Sequence, residues 1–172
     1  MASQRLWIKN PLAVFTDELG SAAGGLVVEG TRIAALVPAG QTPQHDQVFD
    51  ASGLVLLPGL INTHHHMYQT LTRALPGAVD KELFAWLQHL YPIWAGLEPE
   101  MVSVSSELAM AELLLSGCTT TTDHHYVFPQ GHEDAIDRQV AAAQQLGMRV
   151  VLTRGSMSLS VEDGGLPPKS VV

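Results

Sequence analysis

The apolar and polar positions of this chain fall into two regimes. In the first, short apolar runs are separated by Gly, Pro and Asn, the pattern of strands and turns. The runs are "RLWIKNPLAVF", "GGLVVEGTRIAALVP" and "QVFDASGLVLLPG". Val27 and Val28, then Ile33 to Val37, flank "EGTR", whose length and residue types suit a tight hairpin turn. "HDQVFDASGLVLLPGLI" reads as a further extended segment, stopped by Pro58 and Gly59.

After about residue 66 the pattern becomes helix alternating with strand. Leu83, Trp86, Leu87 and Leu90 recur at spacings of three and four, which predicts a helix. Asp80 is the expected N-cap and Pro92 the expected stop. A second helix is predicted over "LEPEMVSVSSELAMAELLLSGC". Pro99 and Glu100 suit its first turn, and Met101, Val104, Leu108, Ala111 and Leu115 form one stripe. Gly117 suits the left-handed position just past its end. "CTTTTDHH" predicts a strand, because consecutive β-branched residues are poor helix formers. "EDAIDRQVAAAQQLG" predicts a third helix with a Gly stop, "MRVVLTRGSM" another buried strand, and "SVEDGGLPPKSVV" a loop. The expected order is a β-rich segment over 1–57, then β–α–β–α–β over 58–172. Such alternation implies parallel strands joined by right-handed crossovers. No internal repeat or low-complexity segment interrupts it.

Composition narrows the class. The chain of 172 residues is 46% apolar and 15% charged, enough to bury a core. A formal net charge of −8 argues against nucleic acid or an anionic membrane surface as the main partner. With Cys118 as the lone cysteine, no disulfide framework is possible, and a reducing compartment is the natural home. The N-terminal "MASQRLWIKNPLAVF" lacks a leader-like apolar core, and no run reaches the ~18 apolar residues of a membrane span. The expectation is a cytoplasmic protein. A closed parallel barrel needs eight strands and typically ~250 residues. About three strands are predicted here, so the chain reads as the N-terminal portion of a longer protein.

The candidate chemistry sits in "LINTHHHMYQTLTR". In a strand, residues i and i+2 share a side, so His64 and His66 project together and His65 away. Two imidazoles so placed can bind one divalent cation at ~2.0–2.1 Å each. They end an apolar strand, where uncompensated imidazoles are costly, and in (β/α) barrels that end is the face where sites are built. A His-x-His pair taken alone is more often not a metal site.

"LPGLINTHHHMYQ" resembles the first-strand signature of the amidohydrolase superfamily, through Pro58, Gly59, Leu60, Ile61, Asn62, His64 and His66. "YQTLTRALPGAVDKELFAWLQHLYPIW", "ELLLSGCTTTTDHHYVFP" and the late "EDGGLPP" resemble its deaminase branch. Within that branch they are most similar to the 8-oxoguanine deaminase and hydroxydechloroatrazine ethylaminohydrolase group. The resemblance covers nearly the whole chain. It implies a small β-sandwich flanking a metal-containing (β/α)8 TIM-like barrel, of which this chain supplies only the first part. It implies His64 and His66 as two metal ligands, with zinc as the ion and iron as the alternative, since imidazole and carboxylate suit both. The remaining ligands and the proton-transferring residues are expected beyond this chain, so none of the catalytic groups is assigned within it.

Gln69 and Arg73, four apart on what reads as a short helix, share a face. An amide and a guanidinium fork suit the edge of a hydroxylated purine or triazine, or they belong to a solvated face; the resemblance favours substrate binding. Asp123, His124 and His125 end the second barrel strand, and His125 is assigned to the substrate pocket. Trp86 is core or pocket wall, with core favoured by its spacing. Cys118 reads as buried and apolar, and His45, His89 and His132 as surface residues. The resulting expectation is a zinc-dependent hydrolytic deaminase of an oxidised purine, 8-oxoguanine or guanine-like. A hydroxytriazine aminohydrolase is the alternative, and a non-catalytic fragment the competing class. A homodimer is the default assembly.

Overall fold

The computed structural model describes residues 4–15 and 22–172. The first three residues of the N-terminus inspected above for a leader lie outside them. The chain divides into two compact units, Met1–Pro58 and Gly59–Val172.

The first unit is built on a four-stranded sheet of order β4-β3-β1-β5. β1 (Arg5–Lys9) runs antiparallel to β3 (Gly25–Glu29) and parallel to β5 (Gln47–Asp50). β3 and β4 (Arg32–Val37) form the expected hairpin, turning at Gly30 with φ 58° and carrying a bulge between Val27 and Val28. β2 (Ala13–Val14) and β6 (Val55–Leu56) pair in parallel as a separate ribbon. Trp7, Val27 and Val37 make the small core, and the Trp7 indole N–H donates to the Gly24 carbonyl at 3.0 Å. Gly25 has φ 101°, and a side chain there would collide with the Ile8 carbonyl. The segment 45–61 is not one extended run. Gly53, with φ 81°, is the third residue of a turn between β5 and β6, closed by the Leu54 N–H donating to the Ala51 carbonyl at 2.9 Å, where a positive φ suits glycine.

The second unit holds a parallel sheet of order β7-β8-β9: Leu60–Asn62, Cys118–His125 and Arg149–Arg154. α1 (Leu83–Trp94) and α2 (Pro99–Leu115) connect β7 to β8, and α3 (Ala135–Leu146) connects β8 to β9. The βαβαβ order and parallel register are those the periodicity predicts. Met67, Ala109, Met110, Cys118, Ala142, Ala143 and Met148 form one core cluster. Tyr68, Leu90, Tyr91, Trp94 and Leu97 anchor another. Cys118 is buried and free, as expected. Gly117 and Gly147 take left-handed conformations at the ends of α2 and α3.

Several local expectations are overturned. Asp80 is not the N-cap of α1; it lies in the left-handed region, and Glu82 occupies the cap. Pro92 sits inside α1 instead of ending it, because a proline near the C-terminal end sacrifices only its own i→i−4 bond. On α2 the face carrying Met101, Val104, Leu108 and Leu115 is exposed, and Val102, Ser105, Ser106, Ala109 and Met110 are buried. Both serine hydroxyls donate to the Val102 carbonyl, at 3.1 and 2.7 Å. Their polarity is thus met within the helix, and their small size permits close approach. The tail contains two 3-10 turns, Val161–Asp163 and Lys169–Val171. His45, His89 and His132 are half-buried; His45 packs against Trp7, and His89 fills the space left by Gly77. Among the described residues no helix is long and apolar enough to cross a membrane.

Candidate active site

β7 stops at Asn62, so His64 and His66 are not strand residues. They lie on the four-residue connection to a 3-10 helix, Met67–Thr72. The two imidazoles nevertheless come together, with centroids 5.2 Å apart and rings nearly perpendicular. Asn62 helps set this turn by accepting the His64 backbone N–H at 3.2 Å. From β8, the His124 backbone N–H donates to the His65 carbonyl at 3.0 Å.

His66 Nδ1 lies 2.8 Å from the His124 carbonyl oxygen. A carbonyl can only accept, so Nδ1 carries the proton and Nε2 keeps its lone pair free. This is the outer hydrogen bond that metal-ligating histidines make, fixing tautomer and ring direction. The donor set therefore fits a divalent ion held by His64 and His66. Among the described residues no group of three or more His, Cys, Asp or Glu side chains could complete such a site. His65 does not face away as expected: it lines, with His64 and His66, the cleft beside the pair, and its partial burial lowers its pKa.

A cleft of about 460 Å³ opens beside the pair, lined by His64, His66, Gln69, Arg73 and Trp86 among others. Four of the five residues assigned from sequence, His64, His66, Gln69 and Arg73, thus meet in one place. His125 does not join them. It is fully buried, its Nε2–H donating to the Val127 carbonyl at 2.8 Å and its ring packed on Tyr68 and Phe128. Strand alternation puts Thr121, Asp123 and His125 on the buried side and His124 on the other, against His66 and Tyr126. The exposed histidine beside the pair is therefore His124, which lines an adjoining cavity of about 470 Å³ with His64 and His66. Trp86 is half-buried: it packs against the core on the Trp94 ring, as its spacing suggests, and also contributes a wall of the cleft.

Neighbours that sequence reasoning missed hold the two polar cleft residues. The Gln69 amide lies 3.4 Å from both the Tyr68 and Tyr126 hydroxyls. Burial raises the Tyr68 hydroxyl well above its usual range and pushes Tyr91, bonded to Tyr126, up to about 12, so both stay protonated. Arg73 is the C-cap of the 3-10 helix, and Glu112 on α2 takes its guanidinium bidentately at 3.0 and 2.7 Å. Each partner shifts the other toward its charged form, raising Arg73 and lowering Glu112. No sequence spacing links residues 39 apart; only the fold brings Glu112 to Arg73.

A family model described as "Amidohydrolase family" matches residues 55–170, a span that includes both histidines and all three parallel strands. The chain belongs to the amidohydrolase family. It is 59% identical to an 8-oxoguanine deaminase of Pseudomonas aeruginosa, over 98% of this chain and 38% of that protein. It is 36% identical to a hydroxydechloroatrazine ethylaminohydrolase of a Pseudomonas strain, over 86% of this chain and 31% of that protein. Its fold matches an atrazine chlorohydrolase of Arthrobacter aurescens complexed with zinc. That match has a TM-score of 0.83 and 27% identity, covering 97% of this chain and 39% of that one. This amidohydrolase chain therefore spans less than two-fifths of the length of these relatives. Its second unit has the mixed α/β architecture of the TIM-barrel superfamily to which these fold neighbours belong.

Proposed function

We propose that this chain forms the opening part of a metal-dependent hydrolytic deaminase acting on an oxidised purine, 8-oxoguanine or a guanine-like ring. The three parallel strands begin a (β/α)8 barrel whose remaining strands and metal ligands lie in further sequence. The observation that carries this reading is the His64–His66 pair, with Nδ1 of His66 tied to the His124 carbonyl, opening on the cleft that contains Gln69 and Arg73. Likeness to an 8-oxoguanine deaminase at 59% identity supports the purine as substrate class. A hydroxytriazine is the second reading, supported by the hydroxydechloroatrazine ethylaminohydrolase and atrazine chlorohydrolase matches.

Each residue has a part in this proposal. His64 and His66 would hold the ion, zinc in the first instance because a zinc-bound protein shares the fold. When bound, such an ion supplies Lewis acidity that lowers the pKa of water toward ~7. Gln69 offers both a donor and an acceptor to the lactam edge of a ring, and the Tyr68 and Tyr126 hydroxyls keep its amide in place. Trp86 walls the ring against water, and Arg73 presents donors at the rim from its seat on Glu112. The substrate is a small heteroaromatic molecule, the whole protein a cytoplasmic homodimer.

The test is ammonia release by the full-length zinc-loaded protein from guanine, 8-oxoguanine, isocytosine and hydroxyatrazine. The expected result is the highest kcat/KM on 8-oxoguanine. The highest value on hydroxyatrazine supports the second reading, and release from none of the four refutes both.

A further inference from the structure

Asp123 is a carboxylate with no exposed surface, near the C-terminal end of β8. Its Oδ1 accepts the Met67 backbone N–H at 2.7 Å, and its Oδ2 accepts the Gln139 side-chain amide N–H at 2.7 Å. Met67 and Gln139 are themselves fully buried. Burying an ionised carboxylate costs several kcal/mol unless it is well bonded, and these two short bonds come from neutral donors. A buried side-chain acceptor bonded at both oxygens has a role beyond filling space, and its position supplies one. Met67 directly follows His66 and begins the 3-10 helix.

The β7–β8 ladder runs out at the pair Asn62 and Thr121. Beyond it, the histidine turn is fastened to β8 by three separate hydrogen bonds. The His124 N–H donates to the His65 carbonyl, His66 Nδ1–H donates to the His124 carbonyl, and the Met67 N–H donates to Asp123. On the β8 side the first two use only backbone groups of His124, which any residue there would supply. The third needs a side chain, and that side chain is in turn held by α3. Thr153 on β9 secures the same point from the other side, its hydroxyl donating to the Asp123 backbone carbonyl at 3.1 Å.

We propose that Asp123 is a positioning residue for the metal pair, fixing the backbone just after His66 so that the His66 ring keeps its direction. The inference rests on the reading of His64 and His66 as metal ligands. Its role is hydrogen bonding and not charge, so asparagine serves in its place. The Gln139 Oε1 has no partner among the described residues. In Asp123→Asn the new amide nitrogen can donate to that oxygen once the Gln139 amide turns over, while Asn Oδ1 still accepts from Met67.

The experiment measures the zinc dissociation constant of the full-length apoprotein by chelator competition, alongside its unfolding temperature without metal. Asp123→Ala is expected to raise the zinc Kd by about 10- to 100-fold, the usual loss when an outer hydrogen-bond partner is removed. Asp123→Asn is expected to stay within about threefold of the parent. Gln139→Met, which frees Asp123 Oδ2 without touching Met67, is expected to raise the Kd several-fold and serves if Asp123→Ala fails to fold. A lowered unfolding temperature with unchanged zinc Kd in both Asp123→Ala and Gln139→Met overturns the proposal, as does equal loss in Asp123→Asn and Asp123→Ala. His66→Ala is the control for the underlying reading. If zinc affinity survives that change, the ligand assignment fails, and the Asp123 proposal falls with it.

Discussion

His125→Phe tests how the buried end of β8 couples to pH. The His125 ring has no exposed surface, and its Nδ1 has no partner among the described residues. Burial lowers its pKa, outweighing the bond to Val127 and the nearby Asp123, which raise it; His124 and Arg154 add to the lowering. The folded ring is therefore neutral where the unfolded ring begins to charge. Its contribution is present above the unfolded pKa of about 6.5 and is lost as pH falls through that value. For a ring that stays neutral when folded, the loss is RT ln(1 + 10^(6.5 − pH)). This is a small fraction of 1 kcal/mol near pH ~7 and on the order of 1 kcal/mol near pH ~5.5. Phenylalanine keeps the ring against Tyr68 and Phe128 and cannot titrate. It leaves the Val127 carbonyl without its donor but also removes the buried, unpartnered Nδ1. Each effect is worth about 1–3 kcal/mol with opposite sign, so the neutral-pH stability changes little. The assay is urea unfolding of the metal-free full-length protein at both pH values, because bound zinc adds its own pH dependence. The parent is expected to lose up to about 1 kcal/mol more than His125→Phe over this interval. His65, whose pKa burial also lowers, is common to both proteins and cancels. Equal losses in the two proteins refute the reasoning.

Other outcomes follow from the same contacts. His64→Ala and His66→Ala in the full-length protein are each expected to abolish zinc retention and deamination, checked by metal analysis and ammonia release; normal activity without metal sinks the ligand assignment. Gln69→Ala is expected to keep zinc but flatten selectivity across the purine panel, read as kcat/KM ratios. Glu112→Gln breaks a solvent-exposed pair that contributes little to stability, so unfolding should barely move while the KM of a ring substrate rises; a large stability loss contradicts this. Gly59→Ala puts a Cβ 2.8 Å from the Thr119 Cβ, an overlap that rotamer change cannot relieve. It is expected to cost about 1–3 kcal/mol by thermal unfolding.

Much of the second unit was legible because its periodicities are strong and its stops are chemical. Gly117 and Gly147 end α2 and α3 where a left-handed residue is needed, and the β-branched run 119–122 can hardly be anything but strand. The histidine pair was legible for a different reason: local spacing brings the two rings together even though the strand ends before them. What failed depended on partners far away in sequence. Asp123, His124 and His125 are all polar, so alternation gives two faces without saying which is buried. On α2, hydrophobicity favoured the larger side chains, whereas close packing selected Ser105, Ser106 and Ala109. The clamps on Arg73 and Met67 come from residues 39 and 56 positions away, and no local pattern announces them.

The parallel sheet also has a practical bearing on handling. Among the described residues β7 and β9 each have a single neighbouring strand, which leaves one side of each with amide and carbonyl groups able to recruit another polypeptide. Leu60, Ile61 and Val151 stand on these strands with more than half their surface in solvent. Such rims template intermolecular β-pairing. Residues 59–172 produced alone should therefore elute as soluble multimers or precipitate, whereas co-expression with the remaining barrel sequence should suppress that self-association.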